Sequence, residues 1–297
     1  MKFEDTITNT YGIKGTQWLA SLPIIIERCA LQWNLSALKP YPNLTYNYVM
    51  SGMIDHKPVV LKLRCDQTEL QQEIAAVEAL NGYGCVRVLA YNLNYGAMIL
   101  ERAVPGESLT TLFPHDDQKA TRIAADCMQA LHKAPLPESS LFKTLEQTLP
   151  HFTKTATALD PFIIRAQELK KQLLATQQKN VLLHGDFHSG NILSSDHNQW
   201  VVIDPEGTIG DPLYDLAVYI RNPLTELVAC PDALIIISNR INDFATSLGY
   251  TPQCIYNWTY LQTVSSAYWS IEDKLDITRH IAFLTLLERI INEHEFN

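Results

Sequence analysis

The sequence is short of several things, and each shortage narrows what it encodes. No run approaches the roughly 20 apolar residues needed to cross a bilayer. The opening residues, MKFEDTITNT, carry no basic stretch followed by an apolar core, so a secretory leader is not expected. Cysteine is scattered, with Cys29, Cys65, Cys85, Cys127, Cys230 and Cys254 in no paired spacing. That argues against a structural zinc site or a disulfide framework and fits a cytoplasmic, reducing environment. Lys and Arg number 23 against 32 Asp and Glu, a net charge of −9, which disfavours nucleic acid and anionic membranes as partners. The same balance suits a cationic small molecule, although solubility alone accounts for it equally well. No internal repeat or low-complexity segment is present. What is there is ordinary for a folded protein: 297 residues, 46% hydrophobic and 19% charged, enough for one large core or two lobes.

The most informative stretch spans residues 181–217. An apolar run, Val181-Leu182-Leu183, leads into His184-Gly185-Asp186. Asn191 follows, then a turn over 194–198, and Trp200-Val201-Val202-Ile203 ends on Asp204. The pattern predicts strand, loop, short strand, turn and strand, with Asp186, Asn191 and Asp204 near strand ends. Turn chemistry alone also favours Asp and Asn at strand ends, but it does not demand this spacing. An Asp, an Asn five positions on and an Asp at the end of the next strand form the phosphoryl-transfer apparatus of kinase folds. Asn191 and Asp204 offer oxygen ligands for Mg²⁺ against the phosphates of ATP. Asp186 would orient the acceptor hydroxyl and take its proton.

The rest of the chain is read around that apparatus. A helix is expected over 16–34, with Pro23 opening a second helix whose apolar face holds Ile24, Ile25 and Trp33. Strands are expected over 44–50 and 59–63, joined by a turn over 51–58 in which Ser51 or backbone amides could meet phosphate. Lys62, inside the second strand, is either a solvated edge lysine or the strand lysine that kinase folds place on the α- and β-phosphates. Its carboxylate partner is expected on a helix over 69–80. Glu73 is favoured and Glu69 is the other candidate. The glycine-rich phosphate loop of protein kinases is missing, with Asn43, Tyr46, Asn47 and a lone Gly52 in its place. A strand pair over 86–91 and 97–102 leads to Val104-Pro105-Gly106, where a two-lobed kinase has its hinge. Backbone groups from Glu101 to Ala103 would read adenine there. Helices are expected over 118–132, 162–177, 232–248, 253–268 and 276–295.

These residues make the chain resemble the aminoglycoside phosphotransferase family, in the branch of streptomycin 6-kinases and hydroxyurea phosphotransferases. The likeness rests on Tyr46-Asn47-Tyr48-Val49, Leu100-Glu101-Arg102 with Pro105-Gly106, and His184-Gly185-Asp186-Phe187-His188. It rests also on Ile203-Asp204-Pro205-Glu206-Gly207, Gly210-Asp211-Pro212-Leu213-Tyr214-Asp215-Leu216-Ala217 and Trp269-Ser270-Ile271-Glu272-Asp273. It implies an α+β, protein-kinase-like fold of two lobes: an N-lobe over 1–103 with a five-stranded antiparallel sheet and one helix, and a mainly helical C-lobe over 104–297. It further implies that Asp186 is catalytic, that Asn191 and Asp204 bind Mg²⁺, and that Asp215 braces the catalytic loop. His184 is read as packing beneath that loop.

Six residues separate Asp204 from Asp211, too few for the activation segment on which protein kinases dock peptide. The acceptor is therefore expected to be a small molecule, with aminoglycoside 6-phosphorylation and antibiotic resistance as the leading reading. Between residues 181 and 230 seven acidic residues face the single Arg221. Glu206, Glu226, Glu272 and Asp273 are the candidate partners for a guanidinium or ammonium. The alternatives are a kinase of the same fold for choline, homoserine or a sugar derivative, a metal-dependent hydrolase using His184, Asp186 and His188, and a nucleotide-binding protein without turnover.

Overall fold

The computed structural model describes residues 3–138, 140–196 and 199–293. In chain order the N-terminal part contains α1 (Phe3–Trp33), β1 (Ser36–Pro40), β2 (Asn47–Ile54), β3 (Lys57–Arg64), α2 (Gln67–Ala79), β4 (Val88–Asn92) and β5 (Ala97–Glu101). The five strands form one antiparallel sheet in the order β1-β2-β3-β5-β4. Side chains alternate across a strand, so Val59, Leu61 and Leu63 of β3 point to one face and Val60, Lys62 and Arg64 to the other. The first set joins Ile7, Trp18, Leu22 and Cys29 of α1 in a core of its own. The second faces α2 and the rest of the molecule.

The remaining chain carries α3 (Asp117–Leu131), β6 (Lys143–Thr144), α4 (Leu145–Thr148), α5 (Asp160–Thr176), β7 (Val181–Leu183), β8 (Ile192–Ser195), β9 (Gln199–Val202) and β10 (Thr208–Gly210). After these come α6 (Leu213–Arg221), α7 (Leu224–Ala229), α8 (Ala233–Leu248), α9 (Pro252–Glu272) and α10 (Thr278–Glu293). The result is an α+β fold, a sheet-rich N-lobe beside a helical C-lobe. A continuous core runs from Leu70, Ile74 and Val77 of α2 through Phe187 to Tyr219, Trp258 and Leu261. Among the described residues no helix is long and apolar enough to cross a membrane.

Several boundaries differ from expectation. α1 begins at Phe3, not residue 16, and continues through Pro23, which does not open a new helix. Its buried face is Trp18, Leu22 and Cys29, whereas Ile24 is exposed. Packing of that face outweighs the roughly 3 kcal/mol that a proline costs a helix interior. The helix does break at Gly12, whose φ of 58° and ψ of −131° suit glycine alone. β2 starts three residues later than expected and runs through Ser51 and Gly52, so the turn is the tight Asp55-His56 pair. Ser51 lies within the strand, its hydroxyl on the Lys39 carbonyl. β1, β6, β10 and α7 are short elements that periodicity did not reveal. The expected turn over 194–198 and helix over 276–295 each end on residues outside those described.

Candidate active site

β3 and α2 build one side of the site. Lys62 is buried, and its Nζ lies 2.6 Å from Glu73 Oε1 and 3.0 Å from Asp204 Oδ1. Burial disfavours its ammonium, but the charges of Asp204 and Glu73 outweigh that and hold its pKa above the ordinary value. Glu69, the other candidate, is one turn before Glu73 and pairs instead with Arg64, Nη2 to Oε2 at 3.1 Å. Arg64 shares the face of Lys62 and reaches Glu73 Oε2 with Nη1 at 2.7 Å. Glu73 thus accepts from two cations, one per oxygen, with only 3% of its surface exposed. Asp66 caps α2 by accepting from the backbone of Thr68 and Glu69.

The loop after β7 builds the opposite side. His184 is fully buried; its Nε2 bonds the Ile203 carbonyl at 2.8 Å and its Nδ1 accepts from the Asp186 backbone at 3.2 Å. With both ring nitrogens engaged and its pKa lowered by burial, it is a neutral structural histidine. That arrangement gives the hydrolase reading no support. Asp215, in the first turn of α6, accepts from the backbone of His184 and Gly185, each at 2.9 Å, and from His132 Nε2 at 2.9 Å. Gly185 has a φ of 88°, and a β-carbon there would stand 3.1 Å from the side chain of Glu206.

Asp186 projects into the cleft with its side chain 47% exposed and His188 Nε2 at 3.3 Å. Burial of the carboxyl among protein raises its pKa, but His188, His184 and Arg221 prevail and it ends below the ordinary value. Asn191 donates its amide nitrogen to the Asp186 carbonyl oxygen at 3.0 Å, which leaves its own carbonyl oxygen to offer. Asp204 sits at a φ of 60°, a conformation that Asp tolerates better than most residues. Asn191 and Asp204 present hard oxygen donors, with no thiol or imidazole between them, which suits Mg²⁺ rather than a softer ion. Among the described residues no group of three His, Cys, Asp or Glu is arranged to hold a metal by itself.

Between the two sides lies a cavity of about 490 Å³. Val49, Val60, Val86, Leu100, Leu193 and Ile203 give it apolar walls, and Lys62 and Asp204 stand at one end. The turn between β1 and β2 covers it with Tyr41, Asn43 and Thr45, and Asn47 adds a buried side-chain oxygen without a hydrogen-bond partner. Glu101, Arg102 and Ala103 line the other end. The Glu101 side chain turns away to a two-pronged pair with Arg87, and its backbone N–H goes to the Arg87 carbonyl.

The acceptor candidates separate in space. Glu206 adjoins Asp186, and crowding by protein together with the Asp186 charge pushes its carboxyl up to about 7. The residue is nonetheless exposed at the surface. Glu272 and Asp273 edge a cleft of about 850 Å³ that also contains Tyr11, Tyr46, Arg64 and Glu69. Glu226 is exposed on α7 and lines neither cavity. Sequence reasoning missed Arg64, His132, the approach of His188 to Asp186, and Gln72, which donates to the carbonyls of Glu206 and Gly207. Arg64 was recoverable, since it follows Lys62 by two in the same strand. His188 was recoverable too, two residues past Asp186 in the same motif, whereas His132 and Gln72 carry no local signal.

Comparison with known proteins agrees with this geometry. The chain is 27% identical over 270 residues to a streptomycin 6-kinase of Streptomyces glaucescens, covering 89% of this chain and 87% of that one. It is 24% identical over 269 residues to a hydroxyurea phosphotransferase of Kitasatospora aureofaciens, covering 88% and 77%. In fold it is similar to a thermostable mutant of aminoglycoside phosphotransferase APH(4)-Ia in ternary complex with AMP-PNP and hygromycin B. That match has a TM-score of 0.65 at 16% identity and covers 92% of this chain and 98% of the other. Residues 48–274 match the model of a family of small-molecule phosphotransferases, and the chain belongs to that family, the aminoglycoside/hydroxyurea antibiotic resistance kinases.

Proposed function

We propose that this chain transfers the γ-phosphoryl group of ATP, with Mg²⁺, to a hydroxyl of a small cationic acceptor, as a 6-phosphotransferase of the streptomycin type. The observation that carries the reading is Lys62, a buried ammonium fixed between Glu73 and Asp204 at the end of a nucleotide-sized cavity. Its charge is placed for the α- and β-phosphates. Asn191 and Asp204 would hold Mg²⁺, which neutralises triphosphate charge when bound. Backbone groups over 101–103 read adenine at the junction of the lobes, which we place after Ala103.

Asp186, ionised because its pKa is depressed, would accept a hydrogen bond from the acceptor hydroxyl and then its proton as that oxygen bonds the γ-phosphorus and the bond from phosphorus to the β–γ bridging oxygen breaks, releasing ADP. In a loose transition state that proton leaves late, so a carboxylate of low basicity suffices. Glu206 beside Asp186, and Glu272 and Asp273 in the separate cleft with Tyr11 and Glu69, are the carboxylates offered to guanidinium or ammonium groups. β10 occupies the few residues between Asp204 and α6, pinned between β6 and β7, with no span left to dock a peptide.

The test is coupled ADP release with Mg²⁺ and ATP over streptomycin, other aminoglycosides, hydroxyurea, choline and homoserine. Saturable turnover with streptomycin, and a product phosphorylated at its 6-hydroxyl, is the expected result. Turnover with choline or homoserine and none with streptomycin would replace this acceptor class with a metabolite.

A further inference from the structure

α1 lies outside residues 48–274, the part of the chain that matches the family model, yet it is linked to Lys62 by an unbroken series of polar contacts. Tyr11 Oη donates to Glu69 Oε2 at 3.0 Å. The same oxygen pairs with Arg64 Nη2 at 3.1 Å. Arg64 Nη1 pairs with Glu73 Oε2 at 2.7 Å, and Glu73 Oε1 with Lys62 Nζ at 2.6 Å. A second tether runs beside it, from Lys14 Nζ to Asp66 Oδ2 at 2.9 Å. Asp66 is the residue that caps α2, so α1 grips α2 at its first turn and, through Arg64, at Glu73. Both tethers flank Gly12, where α1 breaks and presents Tyr11 toward α2.

We propose that Tyr11 and Glu69 are positioning residues for phosphoryl transfer. They hold the Arg64 guanidinium to one oxygen of Glu73 and thereby leave the other oxygen for Lys62. The reasoning is electrostatic. Two cations compete for one buried carboxylate, and a guanidinium can engage both oxygens of a carboxylate at once. Glu69 occupies the second edge of Arg64, and Tyr11 fixes Glu69, so Arg64 stays in single-point contact with Glu73. Without that anchor Arg64 is free to take both oxygens, and Lys62 keeps only Asp204 as a partner.

The inference rests on the assignment of Lys62 to nucleotide phosphates, and the two are separable by experiment. Mg-ADP binding is measured by calorimetry on Tyr11→Phe, Glu69→Gln, Lys62→Ala and the exposed α1 control Ile13→Ser, each checked for an unchanged melting temperature. The expected result is affinity about 3- to 10-fold weaker in Tyr11→Phe and Glu69→Gln, the scale of one ordinary hydrogen bond lost at a distance from the ligand. Ile13→Ser is expected to match the parent chain. In a Glu73→Gln background, Tyr11→Phe should add nothing, because the series is already cut. Parental affinity in both Tyr11→Phe and Glu69→Gln, with Lys62→Ala weakened, would overturn this inference alone. An equal loss from Tyr11→Phe with and without Glu73 would also overturn it. Parental affinity in Lys62→Ala would overturn the assignment of Lys62 itself.

Discussion

Replacing Asp186 by Ala removes the group that we propose orients and deprotonates the acceptor, while leaving the cavity walls and Lys62 in place. Turnover should fall roughly 10²- to 10⁴-fold with nucleotide affinity retained, as steady-state kinetics beside ADP titration will show. Glu206 calls for a different measurement, because its carboxyl titrates near 7. It is ionised above that pH and protonated below, so KM for a cationic acceptor should rise as pH falls through about 7. Glu206→Gln should flatten that profile at the high-KM limit. The same raised pKa means that Glu206 favours the fold while protonated and loses that contribution as pH climbs through about 7. Glu206→Gln should therefore gain melting temperature relative to the parent at pH 8 more than at pH 5. At this scale much was legible: Asp186, Asn191 and Asp204 stand out by spacing, and Lys62 by a charge inside an apolar strand. Glu226 and Glu272 looked alike in sequence, yet one lies on an open helix face and the other on a cleft. Only tertiary packing separates them.

Among the elements, α3 and α8 are joined by a buried ion pair that anchors the lower part of the C-lobe. Arg240, 1% exposed, donates Nε to Asp117 Oδ2 at 2.9 Å and Nη2 to Oδ1, and reaches the carbonyls of Ile220 and Asn222 with Nη1. Asp117→Ala strands that guanidinium without a counter-charge, which costs about 3–5 kcal/mol. The urea midpoint should drop accordingly, and the Asp117→Ala, Arg240→Met pair should recover part of the loss. The amphipathic helices α3, α5, α8 and α10 were readable from their period, whereas α9 is buried on every side from Trp258 to Ser265. α1 was misread because proline usually ends a helix, whereas here the sheet holds its buried face. The first hairpin was misplaced because Ser51 and Gly52 resemble turn residues, whereas the register is set by Asp55 and His56 at positive φ.

At the scale of the whole molecule, a net charge of −9 favours the approach of cations over distances that salt shortens. KM for streptomycin should therefore increase between 50 and 300 mM NaCl, a span over which the Debye length shortens about 2.4-fold. KM for uncharged hydroxyurea should stay level. Mg-ADP at about 100 times its dissociation constant should stabilise the chain by about 2.7 kcal/mol, readable as a rise in melting temperature. The two-lobed architecture was legible as a whole because strand patterns dominate the first part of the chain and helical periods the second. The three-stranded union of β6, β7 and β10 was not, since strands of two and three residues leave no periodic trace. That small sheet has a wider meaning. It pairs the chain from Thr208 onward, four residues past Asp204, and so takes up the stretch in which protein kinases receive a regulatory phosphate. An enzyme built this way would have its output set by how many copies are made and how much acceptor arrives, not by a phosphate added at that point.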